Sequence, residues 1–164
     1  MRSKLADRPL WEFALALYAR PGVEAACLRL QDSAGLDVCE LLWLCWLARH
    51  GLAPADDVGQ HLEPVRAWQR DMTYPLRRQR RALKARVGSV PELARLRQAI
   101  KEAELLAERE ALRQLQELAR QGLGVRPLKL GDAPWTSCMA KRAQGDARSV
   151  RHDLDTLAKQ LRSA

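Results

Sequence analysis

The sequence contains no C-x-x-C pair, no G-x-G-x-x-G or G-x-x-x-x-G-K-[ST] loop, no H-E-x-x-H and no G-x-S-x-G. Zinc-finger, dinucleotide, P-loop, zincin and α/β-hydrolase chemistry therefore lack their usual anchors. Aromatic residues are only 5% of the chain, and glycine and proline together are 17 of 164 residues, which excludes collagen-like and linker-like classes. The three histidines (His50, His61, His152) are scattered, and the four cysteines (Cys27, Cys39, Cys45, Cys138) follow no ligand spacing, so neither metal nor cofactor is expected. Cys27, Cys39 and Cys45 fall in leucine-rich runs and read as reduced core residues. There is no long hydrophobic run either. The strongest, Leu41–Ala48, even extended back to Val38, is about half of the ~20 residues a membrane span needs. Glu12 interrupts Leu10–Leu17 before it reaches signal-peptide length. A soluble, cytoplasmic protein is expected.

What is present is apolar periodicity at helical spacing and an excess of positive charge. Hydrophobic residues are 47% and charged residues 29%, with a net charge of +8. The pattern predicts helices over Pro9–Ala19, with Asp7 near the start, over 21–33 ahead of Gly35, and over 37–50. In the last, Asp37 and Glu40 form a capping box and Gly51 supplies the stop. Leu41–Ala48 is apolar all round, so this helix must be enclosed by others. After a link at Pro54–Asp57 and a short helix to Leu62, a long helix is expected over 64–86 with a kink at Pro75. A second capping box, Ser89 with Glu92, opens a helix running to Gln121. These two form an antiparallel hairpin. Residues 123–145 lose periodicity and read as an irregular connector, before a last amphipathic helix carrying Val150, Leu154, Leu157 and Leu161. The expected fold class is all-α: a five- to six-helix bundle with a central buried helix (37–50) and a long hairpin (64–86/90–121). Residues 1–121 form the bundle domain, and 122–164 a connector and terminal helix, partly disordered or docked on the bundle.

The charge is local. Residues 1–60 carry −2, residues 61–90 carry +6, residues 91–121 balance, and residues 122–164 carry +4. On a wheel at ~100° per residue, Arg66, Arg70, Arg77, Arg81 and Lys84 share one stripe and Val65, Met72, Leu76, Leu83 and Val87 another. The basic stripe is about 27 Å long if the helix is continuous. Three readings stand. The stripe is a face that is solvated or neutralised by Glu102, Glu104, Glu108, Glu110 or Glu117; or it tracks the phosphates of RNA or DNA; or it docks an acidic protein surface, where arginine is favoured. Tyr74 is the only aromatic near it, which weakens the nucleic-acid reading. Leu105 and Leu112 lie off the main apolar face of the last long helix, to serve a homodimer seam or receive the terminal helix. Cys138, beside Ser137 and close to Lys141 and Arg142, is the one candidate nucleophile, and an enzyme is not expected.

The stretch Leu10-Trp11-x-Phe13-Ala14-Leu15-x-Leu17-Tyr18, with Pro21-Gly22-Val23, Ala26-Cys27-Leu28, Leu30-Gln31-Asp32, Gly35 and Asp37-Val38, resembles a family of short proteobacterial proteins of unknown function. Trp68, Pro75-Leu76-Arg77 and Arg80-Arg81-x-Leu83-Lys84 are similar to its second signature. Cys39 stands where members often carry a polar residue such as Asn. The resemblance covers about residues 9–110 and implies an all-helical cytoplasmic protein of a Gram-negative bacterium, with no activity to import. Trp11, Tyr18, Gln31 and Asp32 then read as core partners and caps, or, with Trp68, as parts of a partner-binding groove between the first two helices and the kinked one. The expected function is a non-enzymatic adaptor using the basic stripe; the alternative is an RNA- or DNA-associated protein using that stripe and the basic tail.

Overall fold

A computed structural model describes residues 9–163; Asp7, expected near the first helix start, lies outside them. The described residues form α1 (Leu10–Tyr18), α2 (Val23–Asp32), α3 (Val38–Arg49), β1 (Leu52–Pro54), α4 (Val58–Trp68), a π turn (Gln69–Thr73), α5 (Tyr74–Lys84), α6 (Pro91–Gln121), β2 (Val125–Pro127), α7 (Trp135–Arg142) and α8 (Ala147–Arg162). The fold is predominantly all-α, and no helix among the described residues is long and apolar enough to cross a membrane.

As its sequence requires, α3 is the enclosed helix. Leu41, Trp43, Cys45, Trp46 and Leu47 are at most 1% exposed, because a helix apolar on every face gains only when every face is covered. Asp37 caps it by accepting from the Glu40 backbone N–H at 2.9 Å. The reciprocal half of the box is not formed. The Glu40 side chain instead turns inward and is 3% exposed. Pro9 cannot cap α1 with a side chain, and its first free N–H, on Leu10, is taken by Gln116 Oε1 of α6 at 2.8 Å.

The 64–86 helix differs from expectation. The rod begins at Val58, runs through Pro64, and is broken by the π turn rather than by a kink at Pro75. Tyr74 N–H reaches back five residues to the Gln69 carbonyl. That wide turn accommodates Pro75, whose ring would otherwise crowd the Asp71 carbonyl and which has no N–H to return. A π turn holds one residue more than an α turn, so every residue after it is rotated by roughly 100° relative to a uniform wheel. Met72, placed on the apolar stripe, is therefore 42% exposed, while Gln69 and Thr73 are buried at 2% and 0%.

α6 has the expected length and ends at Gly122 in the left-handed region. Its start differs: Val90 is the N-cap with Pro91 at the first helical position, and no side chain caps it, so Ser89 and Glu92 form no box. The α5–α6 hairpin is present, and the inner half of α6 buries Ala111, Leu112, Leu115 and Ala119 in the core.

Residues 123–145 are not a featureless connector. β2 pairs antiparallel with β1, Leu52 opposite Pro127 and Pro54 opposite Val125, and α7 follows with Met139 1% exposed. Three-residue strands ending in proline leave no alternation to read. α8 packs on α2 and α7, and Val150, Leu154, Leu157 and Leu161 join the same core as α3. Asp153 of α8, 3% exposed, accepts from Arg29 of α2 in a fork, with Nη2 at 2.7 Å and Nε at 3.1 Å. Gly145, at φ 89°, brings the chain so close to the end of α2 that a Cβ would stand 2.9 Å from the Ser33 carbonyl oxygen.

Candidate interaction groove

The five stripe residues do not face outward together. Arg66 gives Nε and Nη2 to Glu40 at 2.6 and 3.0 Å, and Arg70 pairs with Glu63 at 2.7 Å on its own helix. Arg77 reaches Glu104 at 2.9 Å and Glu108 at 2.7 Å on α6, and Arg81 reaches Asp32 at 2.7 Å on α2. Lys84 is exposed and carries no ion pair among the described residues. The π turn lies inside the stripe and sends its two halves in different directions. Of the acids offered as neutralising partners, Glu104 and Glu108 serve. Glu110 pairs with Arg113 and Glu117 with Arg120 on their own helix, and Glu102 accepts from Gln98.

Glu104 is the centre of the α5–α6 cluster: 5% exposed, it also accepts from Arg80. Burial alone would raise its carboxyl, but the hydrogen bonds from Arg80 and Arg77 outweigh burial and hold it below the ordinary carboxylate value. Glu108 goes the other way. Burial, with the charges of Glu104 and Asp37, raises it despite Arg77. Glu40 stays depressed because Arg66 and Arg142 together overcome its burial. Beside them, Asp37 Oδ2 accepts from Gln69 Nε2 at 3.0 Å and from the Tyr74 hydroxyl, so one carboxylate caps α3 and fastens both ends of the π turn. Burial first, then Asp37, keeps the Tyr74 phenol protonated well above its ordinary value.

Of the expected groove residues, Trp11 and Tyr18 line a real cleft of about 370 Å3 between α1, α2, α5 and α6, and Gln31 joins them. Asp32 and Trp68 are not in its lining. Asp32 is held by Arg81, and the Trp68 indole donates to the Ala107 carbonyl at 2.9 Å, fastening α4 to α6. The groove floor is apolar, with Ala14, Val38, Cys39, Leu42 and Leu112. Leu112, read as off the core face, is 3% exposed; Leu105 stays open at 48%, since α8 docks on α2 instead. Leu15 (50%) and Leu28 (41%) face the same cleft from α1 and α2. Both lie off the buried faces of their helices, Leu10/Ala14/Leu17 and Val23/Ala26/Cys27/Leu30. That displacement was the available signal for them.

Along α6 the lining runs from Gln98 to Leu112, about 21 Å of helix axis. The Leu112 end is roofed by Trp11, over which the Arg109 guanidinium sits 5.3 Å from the ring centroid. Within the groove the Tyr18 hydroxyl remains a donor: burial, then Cys27, Glu24 and Glu108, raise its pKa beyond any working pH. The Gln98 end opens onto the hairpin, where Arg78, Lys84, Arg86, Arg97 and Lys101 have no carboxylate partner among the described residues. Of these only Lys101 lines the groove, with Glu102 beside it; the other four cations lie on the hairpin outside the lining.

No group of His, Cys, Asp and Glu that could hold a metal occurs among the described residues. Cys138 is exposed and lines a separate cleft near α7. No curated protein and no solved structure matches the chain. A family model does: the one described as "Protein of unknown function (DUF2390)" matches residues 9–115, a span that contains every residue lining the groove. The chain belongs to this family of proteins of unknown function.

Proposed function

We propose that the protein is a non-enzymatic interaction module that receives an amphipathic helix of a partner protein in the groove between α1, α2 and α6. The observation that carries this reading is that three half-exposed leucines, Leu15, Leu28 and Leu105 on three different helices, line one cleft whose α6 wall spans about 21 Å. That length accepts about four helical turns, and anchors at i, i+3/i+4 and i+7 are the recurring way an amphipathic helix fills such a channel. Exposed leucines cost solubility unless a partner covers them. Beyond the groove, the unpaired cations of the hairpin favour a helix whose end carries carboxylates and reaches over the hairpin, in keeping with arginine's preference for carboxylates. The surface used is therefore the groove with the hairpin cations, Lys84 of the stripe among them, while the four arginines of the stripe are engaged in pairs within the chain.

A phosphate-tracking role for the hairpin cations is the competing reading, and one experiment separates the two. A 14-residue leucine-faced peptide with glutamates at one end is titrated by fluorescence anisotropy, beside its scrambled form and generic single-stranded RNA. The peptide is expected to bind, the scramble to fail, and Leu28→Asp and Leu105→Asp each to weaken binding at least about tenfold, the cost of a charge facing an apolar anchor. RNA binding that falls steeply between 50 and 200 mM salt, with peptide and scramble equal, would replace this reading with the nucleic-acid one.

A further inference from the structure

Glu108 is the residue of the groove wall that a purely apolar channel does not need. On α6 the lining includes Leu105, Glu108 and Leu112, at i, i+3 and i+7, so one carboxylate stands between two apolar positions. Its side chain is 30% exposed. Oε1 accepts from Arg77 Nη2 at 2.7 Å, and Oε2 has no hydrogen-bond partner among the described residues.

The charges around that carboxylate do not balance. Arg77 and Arg80 of α5 are both already bonded to Glu104. Burial first, with the charges of Glu104 and Asp37, outweighs Arg77 and raises the Glu108 carboxyl. Tyr18, also in the lining, registers the same surplus: after burial and Cys27, the charges of Glu24 and Glu108 push its phenol up against Arg77. Other cations lie farther off. Lys101 is about 10 Å away along the α6 axis with Glu102 beside it, and Arg109 sits over Trp11 outside the lining. An ionisable group held at such a cost beside a cleft marks a place where a ligand completes the balance.

Resting on the proposal that the groove receives a partner helix, we infer that this helix carries a lysine on its apolar face, with the ammonium on the free oxygen of Glu108. Because Oε1 is taken, a forked guanidinium gains little, whereas a compact ammonium needs one acceptor. The methylene stem of a lysine suits the apolar floor at Leu42 and Leu112. Glu108 lies about 15 Å along α6 from Gln98, beyond the ~8 Å reach of screened charges at physiological salt. The lysine and the acidic end over the hairpin therefore act separately. Together they fix the direction of the bound helix, lysine towards the Trp11 end and carboxylates towards the hairpin.

The test uses the intact chain and three versions of the leucine-faced peptide, with lysine, norleucine or glutamate roughly ten residues from its acidic end. Norleucine matches the lysine stem without its charge, so a purely apolar groove prefers norleucine. By fluorescence anisotropy the lysine peptide is expected to bind at least about fivefold tighter than the norleucine one, and the glutamate peptide weakest. Glu108→Gln relieves the cost of ionisation and so keeps the fold; in it the lysine-to-norleucine preference should vanish or reverse. Glu102→Gln, at the Gln98 end, should keep that preference. In the parent the preference should also shrink as pH falls from 7 towards 4.5. Glu108, faced by Arg77 and Arg80, by Glu104, by Asp37 and Cys39, and by Tyr18 and Glu24, protonates before an ordinary carboxylate does. Norleucine binding as tightly as lysine would overturn the inference and leave the groove proposal standing. So would a lysine preference that survives Glu108→Gln, or one lost equally in Glu102→Gln. Binding by none of the three peptides would overturn the groove proposal itself, and this inference with it.

Discussion

Removing the Glu104 carboxylate tests the internal cation network most directly. Glu104→Ala leaves Arg77 and Arg80, 13% and 21% exposed in their side chains, without their shared acceptor. Breaking a buried ion pair from one side costs about 3–5 kcal/mol. Here Arg77 keeps Glu108 at 2.7 Å and Arg80 can swing to water, so about 2–3 kcal/mol is expected. For a chain of this size that lowers Tm by about 5–10 °C. Urea denaturation followed by tryptophan fluorescence at pH 7 measures it, and an Arg80→Ala/Glu104→Ala cycle should return a coupling of at least about 1 kcal/mol. Arg70→Ala is the control, since its pair with Glu63 is more than half exposed on both sides and should be worth under about 0.5 kcal/mol. A Glu104→Ala cost as small as the control's would refute the claim that Arg77 and Arg80 are held internally. The pH dependence has a definite sign. Because the folded pKa is depressed, Glu104's contribution is complete above its ordinary value of 4.5 and disappears as the pH falls below it.

Glu108 should show the reverse: its raised carboxyl means that folding is disfavoured as it ionises, so Glu108→Gln should gain on the parent as pH rises from 4.5 towards 7, read by urea midpoints. Asp37→Ala removes a helix cap and strands the Gln69 amide and Tyr74 hydroxyl, for a loss of about 2–4 kcal/mol, whereas Asp37→Asn keeps an acceptor and should lose less. Gly145→Ala meets both a positive φ and the Ser33 carbonyl, and should cost about 2 kcal/mol or more; an unchanged Tm would mean that this approach can relax.

Enclosure of α3 could be read from Leu41–Ala48 because an all-apolar helix has only one physical solution, and the Asp37 cap followed from a local rule. The hairpin was equally legible, since Gly88 and Gly122 bound strong periodicities. The π turn was not. It is set by tertiary demands, an Asp37 acceptor waiting for Gln69 and Tyr74, and it rotates the wheel on which the basic stripe was drawn. For the same reason Glu40 reads only as a capping-box acid, though its partners lie on other elements, Arg66 26 residues away and Arg142 102 residues away; the Asp153 pair with Arg29, 124 residues away, has no local signal at all. Trp11 and Tyr18 line the cleft, whereas Trp68 and Asp32 serve as fasteners, and nothing local in the sequence separates the two pairs.

The clasp between α2 and α8 also bears on the order in which the chain can finish folding. Arg29 and Asp153 are 124 residues apart, and Arg20 reaches the Gln160 carbonyl across 140. At ribosomal speeds of about 5–20 residues per second, α2 emerges roughly ten seconds before its clasp exists. During that interval one side of Val23, Cys27 and Leu30 must stay wet or lean on a chaperone.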